Sequence, residues 1–393
     1  MKKRIALLSL IVVLCAGAII AFKLMGDSTF TVPEDSKAAI AFTTGRRVLS
    51  ERAKVCFYDK NGRLLKQEKY KASLSDGCIG FEPESGDYNL FTHENIYFSN
   101  GKNIHNDEMD DLYSFASYRG WDDVYKSGYI KKWNMFYKHI PHGLSYEHRE
   151  LGYFDLITLY NESGITNIRV TKSGRIASDD KEPALYNLVE YENSIAYEKI
   201  LQKDSEFIVR EGTLDIEKFF DAIEFDRTNG VFYLINALWS GDFLYVTLGV
   251  GEGEPSDKYV LCFSKKGSDI EYQYSAFVDF KNMNIPSGCL DNDTVVIDNK
   301  NTIEYYTAGY PFGMISYDKD SCSFEFYPYF EADMSDEDIG CYVKQIEGKV
   351  FALIADYTDG NYTIYQKTQN KEFKKIAKIN RLENLYLADF YVR

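Results

Sequence analysis

The stretch from Leu238 to Phe280 limits what this chain can fold into more than any other. Phe243-Leu244-Tyr245-Val246-Thr247-Leu248 reads as a strand, Lys258-Tyr259-Val260-Leu261-Cys262-Phe263 as its hairpin partner, and Ile270 to Val278 as a third strand. Glycine-rich or charged turns separate the three, so the unit is a β-meander. Similar units restart near Cys289 and again near Gln345. Strand groups therefore recur roughly every fifty residues, the period of propeller blades.

The rest of the chain carries the same pattern. Lys54 to Tyr58 and Arg63 to Gln67 flank Asp59-Lys60-Asn61-Gly62, and Asn-Gly tolerates the positive φ angles of a tight hairpin. Tyr88 to Phe98 adds strand material, and Tyr153 to Tyr160 pairs with Ile165 to Lys172 across Asn161-Glu162-Ser163-Gly164. Ile195 to Ile200 with Phe207 to Arg210 read as the next hairpin. Ile216 to Ile223 has apolar residues at both helical and strand spacing. Two further groups follow, Thr294 to Tyr327 and Val350 to Ile379, and the chain ends on the apolar run Leu385 to Val392. A terminal strand this apolar is expected to complete a blade begun at the other end of the chain, which removes exposed sheet edges. No Pro/Ser linker divides residues 38–393, so they are read as one ectodomain. Dividing ~355 residues by a repeat of ~50 predicts an all-β propeller of about seven four-stranded blades.

The aromatic content suits that fold. The 32 Tyr and 26 Phe are side chains that pack well on pleated, half-buried surfaces. The formal charge of −15 argues against nucleic acid or anionic lipid as the main partner, and the only basic cluster lies in the first four residues. Acidic runs such as Asp107 to Asp111 and Asp333 to Asp338 read as solvated loops. Outside the N-terminal apolar run stand six cysteines: Cys56, Cys78, Cys262, Cys289, Cys322 and Cys341. Beyond the cytoplasm that number permits disulfides, although Cys56 and Cys262 lie in apolar runs and read as buried strand residues.

Lys2-Lys3-Arg4 precedes a run from Ile5 to Phe22 that lacks charge, with Lys23 just after it. Its length is near the lower limit for crossing a bilayer, and the basic cluster is expected to stay in the cytoplasm. Residues 1–25 are therefore read as an uncleaved signal anchor, a single transmembrane helix, and residues 26–37 as a spacer. The expected location is the cell membrane, single-pass, with the C-terminal domain extracytoplasmic. A cleaved signal at Ala16-Gly17-Ala18 and a lipidated Cys15 are the competing readings, but the run continues beyond the first and Leu14 precedes the second where a small residue is wanted.

Enzyme signatures are missing. The chain has no G-x-S-x-G elbow, P-loop, H-E-x-x-H or C-x-x-C. Gly249-Val250-Gly251-Glu252-Gly253 resembles a phosphate cradle, yet its glutamate and Glu254 would repel phosphate. His139, His142 and His148 lie close in sequence, but Pro141 prevents a helical presentation of the first two to a metal. Asp356 to Asn361 and Asp291 to Asp293 have calcium-like ligands without the spacing that wraps an ion. No cofactor or metal is implied. Ser316-Tyr317-Asp318-Lys319-Asp320 resembles the start of the turn motif S-x-D-x-G-x-T-W of sialidases, with Asp320 in the glycine place and Ser323 in the tryptophan place, in one copy.

In overall plan the chain resembles the membrane-anchored, extracytoplasmic β-propeller proteins of bacteria, through strand periodicity across the whole ectodomain and not through a family motif. That resemblance implies binding of a peptide, glycan or partner protein of the envelope at one face of a disc. The expected function is a non-enzymatic binding or scaffold protein. The rival is a hydrolase of cell-envelope carbohydrate with carboxylates in the propeller funnel. The segment from Asp107 to Glu150 interrupts the blade period and gathers Trp121, Tyr125, Tyr129, Trp133, Tyr137, His139, His142 and His148. Trp121, Tyr125, Trp133, His139 and His142 are the candidate binding residues, because Trp and Tyr bring large contact area at low entropic cost. The competing reading is that these aromatics pack the segment onto its own blade.

Overall fold

The computed structural model describes residues 30–43, 52–71, 80–84, 87–92, 95–105, 127–130, 132–140, 155–170, 174–179, 181–191, 194–226, 228–252, 257–267, 269–286, 290, 295–307, 312–329, 339–380 and 386–393. Within them, seven four-stranded antiparallel sheets follow one another along the chain. Three strands of blade 1 come first: β1 (Ala38–Thr43), β2 (Arg52–Tyr58) and β3 (Leu64–Lys71). Blade 2 is β4 (Gly80–Glu84), β5 (Asp87–Phe91), β6 (Asn95–Tyr97) and β7 (Asn103–His105). Blade 3 is β8 (Ser127–Ile130), β9 (Met135–Ile140), β10 (Asp155–Asn161) and β11 (Gly164–Val170). Blade 4 is β12 (Arg175–Asp179), β13 (Ala184–Tyr191), β14 (Ser194–Lys203) and β15 (Glu206–Leu214). Blade 5 is β16 (Gly230–Ser240), β17 (Phe243–Glu252), β18 (Asp257–Lys266) and β19 (Asp269–Phe277). Blade 6 is β20 (Val295–Asn299), β21 (Thr302–Tyr306), β22 (Gly313–Asp318) and β23 (Ser323–Pro328). Blade 7 is β24 (Ile339–Ile346), β25 (Lys349–Asp356), β26 (Asn361–Lys367) and β27 (Phe373–Asn380). Finally β28 (Tyr386–Val392) pairs with β1, Ala39 facing Tyr391 and Ile40 facing Phe390, and supplies the fourth strand of blade 1. The first strand of each blade is innermost, and β28 takes that place between β24 and β4. The chain is a seven-bladed β-propeller closed by its last strand.

Residue pattern explains the order of strands within a blade. Second and third strands are apolar on both faces because neighbouring blades cover both, as in β1, where Ala38 to Phe42 are all buried. Fourth strands face solvent and are rich in charge, as in β3 (LLKQEKYK) and β27 (FKKIAKIN). Apolar clusters seal each blade to the next. One joins blades 7, 1 and 2 around Phe42, Phe81, Tyr362 and Tyr391, and others join 2 to 3, 3 to 4, 4 to 5, 5 to 6 and 6 to 7. Most of the largest fully buried side chains are tyrosines, among them Tyr70, Tyr160, Tyr305, Tyr317 and Tyr391. These rings fill the wedges between blades, as their sheet propensity suggests.

The hairpin expected at Asp59 to Gly62 joins β2 to β3. The Asp59 carboxylate accepts from the backbone N–H of Asn61 at 2.8 Å and of Arg63 at 2.9 Å. Gly62 has φ +77°, and a Cβ there would stand 2.2 Å from the Lys378 carbonyl oxygen of blade 7. Glycine is required twice over, by the turn and by the blade contact.

The structure adds detail at three places. The segment from Asp107 to Glu150 does not wholly interrupt the repeat, because β8 and β9 within it are the first half of blade 3. These two strands are short and set between long connections, which hides their period. Ile216 to Ile223 resolves as a helix, α1 (Glu217–Ala222), which buries Phe219 and Phe220. The residues read as a spacer contain the buried Phe30, whose ring lies 5.7 Å from that of Tyr88. Residues 1–25 lie outside the described residues; among the described residues no helix is long and apolar enough to cross a membrane. Cys56, Cys262 and Cys341 are buried free thiols and Cys322 an exposed one; Cys15, Cys78 and Cys289 lie outside the described residues. Burial pushes the Cys56 thiol up to about 11.

Candidate binding face

Antiparallel blades place first-to-second and third-to-fourth connections at one face of the disc, and second-to-third and fourth-to-next-blade connections at the other. At the first face the connections are tight turns, such as 241–242, 204–205, 347–348 and 319–322. Positive φ angles concentrate in them, at Asp204, Ser205, Gly241, Lys300, Cys322, Glu347 and Lys371. At the second face run the longer connections: 44–51, 72–79, 106–126, 141–154, 215–229, 278–294 and 329–338. Sequence length is thus sorted by face.

The tight-turn face is tied together by lysines that cross between blades. Lys265, at the end of β18, meets Asp179 of blade 4 at 2.7 Å and also Glu182, with its ammonium 5.3 Å from the Trp239 ring. Burial pulls the Lys265 pKa down, but its hydrogen bonds to the two carboxylates outweigh this and raise it. Lys319 of blade 6 donates to Ser240 of blade 5 at 2.6 Å and pairs with Asp298. Lys371 of blade 7 donates to the Tyr327 hydroxyl of blade 6 at 3.0 Å. Asp179 and Asp318 also accept backbone N–H groups of their own turns.

Deeper in the disc, Lys367 of β26 donates to both oxygens of Glu304 of β21 at 2.6 Å, and the Tyr306 hydroxyl and Asn299 amide donate to the same carboxylate. Burial would raise the Glu304 pKa, yet these donors hold it below the ordinary value. In the inner ring Lys344 of β24 meets Asp389 of β28 at 2.6 Å and donates to the Phe81 carbonyl of β4, while Phe81 N–H donates to Asp389 at 2.8 Å. One carboxylate therefore links blades 7, 1 and 2 at the point of closure. Asp179, Asp298 and Asp389 are innermost-strand carboxylates, and each is bound by a lysine ammonium. Among the described residues no group of three His, Cys, Asp or Glu could hold a metal ion.

Large apolar side chains stand exposed at both faces: Phe243, Leu64 and Leu65 follow tight turns, and Tyr191 at 50 %, Phe277 at 49 %, Val231 at 39 % and Tyr357 at 36 % lie at the long-connection face. Phe277 is supported from below, 5.3 Å from the Tyr259 ring, which in turn meets Phe219 of α1 edge-on at 5.2 Å. Glu190, beside Tyr191, accepts from the Leu234 N–H of blade 5, so Tyr191 and Val231 flank one blade junction.

The candidate binding residues separate accordingly. Trp121 and Tyr125 fall in connection 106–126 and His142 in connection 141–154, both of which begin and end at the long-connection face; all three lie outside the described residues. His139 is on β9 opposite Ile157, one residue before the strand ends at that face. Trp133 belongs to the tight turn 131–134 at the other face. It is 8 % exposed, its ring edge-on to Phe207 of blade 4 at 5.1 Å, so it packs blade 3 onto blade 4. Sequence reading missed Phe277, Tyr191 and Val231, because each ends or begins a strand whose apolar alternation looks like core.

Fold and face together define a seven-bladed β-propeller of four-stranded blades. No family model matches the chain, and no curated protein matches it. Solved structures match it at low identity. The periplasmic gluconolactonase of Pseudomonas aeruginosa is 10% identical, with 91% of this chain and 99% of that chain covered, at a TM-score of 0.38. The β-propeller domain of the trilobed protease of Pyrococcus furiosus is 11% identical over 86% of this chain and 85% of that one, also at 0.38. TolB of Acinetobacter baumannii is 7% identical over 86% and 82%, at 0.34. These likenesses concern fold alone and bring no residue role to this chain.

Proposed function

We propose that the chain is a non-enzymatic binding propeller, held at the outer side of a cytoplasmic membrane by the apolar run from Ile5 to Phe22, which recognises an envelope protein, peptide or glycan at its long-connection face. The observation that carries this reading is the sorting of connections: every long one begins and ends at the face where Tyr191, Val231, Phe277 and Tyr357 are exposed. Rigid scaffolds gather recognition on such loops. Trp121, Tyr125, His139 and His142 belong to this proposed surface by their place in the chain. The hydrolase alternative has less support, since Asp179, Asp298 and Asp389, on innermost strands, are each engaged by a lysine ammonium. A photo-crosslinking side chain placed at Phe277 or Tyr191 is expected to trap a defined partner in intact cells, and one placed at Lys203 or Asp320 of the opposite face is not. Equal crosslinking from both faces would overturn the reading. Protease added to intact spheroplasts is expected to digest the ectodomain, and a protected ectodomain would overturn the location.

A further inference from the structure

The two faces differ in charge as well as in length. Connections that begin and end at the long-connection face contain 28 Asp and Glu against 10 Lys and Arg, whereas the turns of the opposite face contain nine of each. A chain of net charge −15 thus carries its excess acid mainly in segments that begin and end at that face. The polarity is visible between blades 4 and 5, where Asp215, Glu217, Asp221, Glu224 and Asp226 are exposed around α1 and Glu252 and Asp257 are exposed at the neighbouring connection. At the tight-turn face Asp179, Asp242 and Asp298 hold lysines.

Phe277 stands exposed beside this acidic segment, since Tyr259 beneath it packs on Phe219 of α1. An aromatic ring next to carboxylates fits one kind of ligand better than others. Lys and Arg side chains lay an aliphatic stem or a guanidinium plane on an aromatic surface and carry a cationic head to the acids beyond it. An anionic partner would be repelled, and a neutral glycan would draw nothing from the charge. We infer that the long-connection face at blades 4 and 5 docks a cationic polypeptide segment. This inference rests on the binding function proposed above and names the chemistry of the partner.

The test uses the full-length chain in non-ionic detergent and three labelled probes: a short peptide of alternating lysine and alanine, its glutamate counterpart, and an uncharged N-acetylglucosamine oligomer. The lysine peptide is expected to bind, and to lose about tenfold in affinity when salt shortens the Debye length from ~14 Å to ~5 Å. Charge reversal at Asp221→Lys, Glu224→Lys and Glu252→Lys together is expected to weaken it at least about tenfold, and Phe277→Ala about fivefold. Glu206→Lys with Asp320→Lys, on the opposite face, is expected to leave affinity unchanged, with every variant checked for an unchanged melting temperature. Where the triple variant is destabilised, Glu252→Lys alone is used and is expected to cost about threefold. Equal binding of the lysine and glutamate peptides, or an equal loss from the two sets of charge reversals, would overturn the inference. Binding of the sugar oligomer alone, abolished by Phe277→Ala, would overturn the cationic partner while keeping the binding face. Loss of lysine-peptide binding only in the opposite-face variant would overturn both.

Discussion

The two faces of this disc are built from the same strands and by the same chain, yet they solve different problems. At the tight-turn face Lys265, Lys319 and Lys371 each reach from one blade to the one before it. The long-connection face leaves Phe277, Tyr191 and Val231 exposed. Stability and recognition are therefore separable here, because side chains that satisfy each other across a blade junction cannot also serve a ligand. Substitutions should sort by face: those at the tight turns and blade junctions should change melting, and those at the long connections should change binding.

The largest expected effect comes from removing residues 386–393. Leu387, Phe390 and Tyr391 are buried, and their loss removes about 6 kcal/mol of apolar burial together with the pairing to β1. Since a domain's whole stability is about 5–15 kcal/mol, the truncated chain is expected to show no cooperative melting. A melting temperature like that of the intact chain would mean that ring closure contributes little.

Next is the buried pair of blades 6 and 7. Lys367→Met leaves the buried Glu304 carboxylate without its ammonium partner and is expected to cost about 3–5 kcal/mol in denaturant unfolding. The same carboxylate sets a pH dependence. Its folded pKa lies below the unfolded value near 4.5, so its contribution is present above that value and is lost as pH falls through the folded pKa. Glu304→Gln is expected to flatten the acid limb of the stability curve below ~4.5. On the alkaline side the sign reverses. Burial raises the pKa of Tyr305 and Tyr329, so the unfolded chain releases protons above ~10 while the folded chain retains them, and stability is lost as pH rises. Absorbance titration of tyrosinate is expected to show these rings ionising only on unfolding.

A smaller loss is expected for Lys265→Met, about 2 kcal/mol, because Asp179 keeps the backbone N–H groups of Lys181 and Glu182. The smallest is Phe277→Ala, expected to change stability by less than about 0.5 kcal/mol while reducing binding. A large loss of stability there would erase the contrast between the faces and make Phe277 part of the core.

How much was legible varied with the kind of interaction. The Asn61-Gly62 hairpin, the meander from Phe243 to Val278 and the apolar last strand follow from backbone preference and period-2 patterning, which act over neighbouring residues. Blade 3 was harder to read, because β8 and β9 are short and their partner β10 lies beyond connection 141–154. Trp133 and Phe277 show the limit for the site. Both are aromatic residues near a turn, and only the neighbours differ: Phe207 of the next blade covers the first, and nothing described covers the ring of the second beyond its partial contact with Tyr259.

By itself the sequence determined the all-β class and the blade period, and bounded the number of blades at about seven, since these are properties of local order; the structure fixed the count at seven. Tertiary structure decided which lysine meets which acid, that Asp389 ties three blades at the closure, and which aromatic side chains reach solvent. Those pairings join residues as far apart as Phe81 and Asp389, and their energies depend on burial and geometry that exist only once the ring has closed.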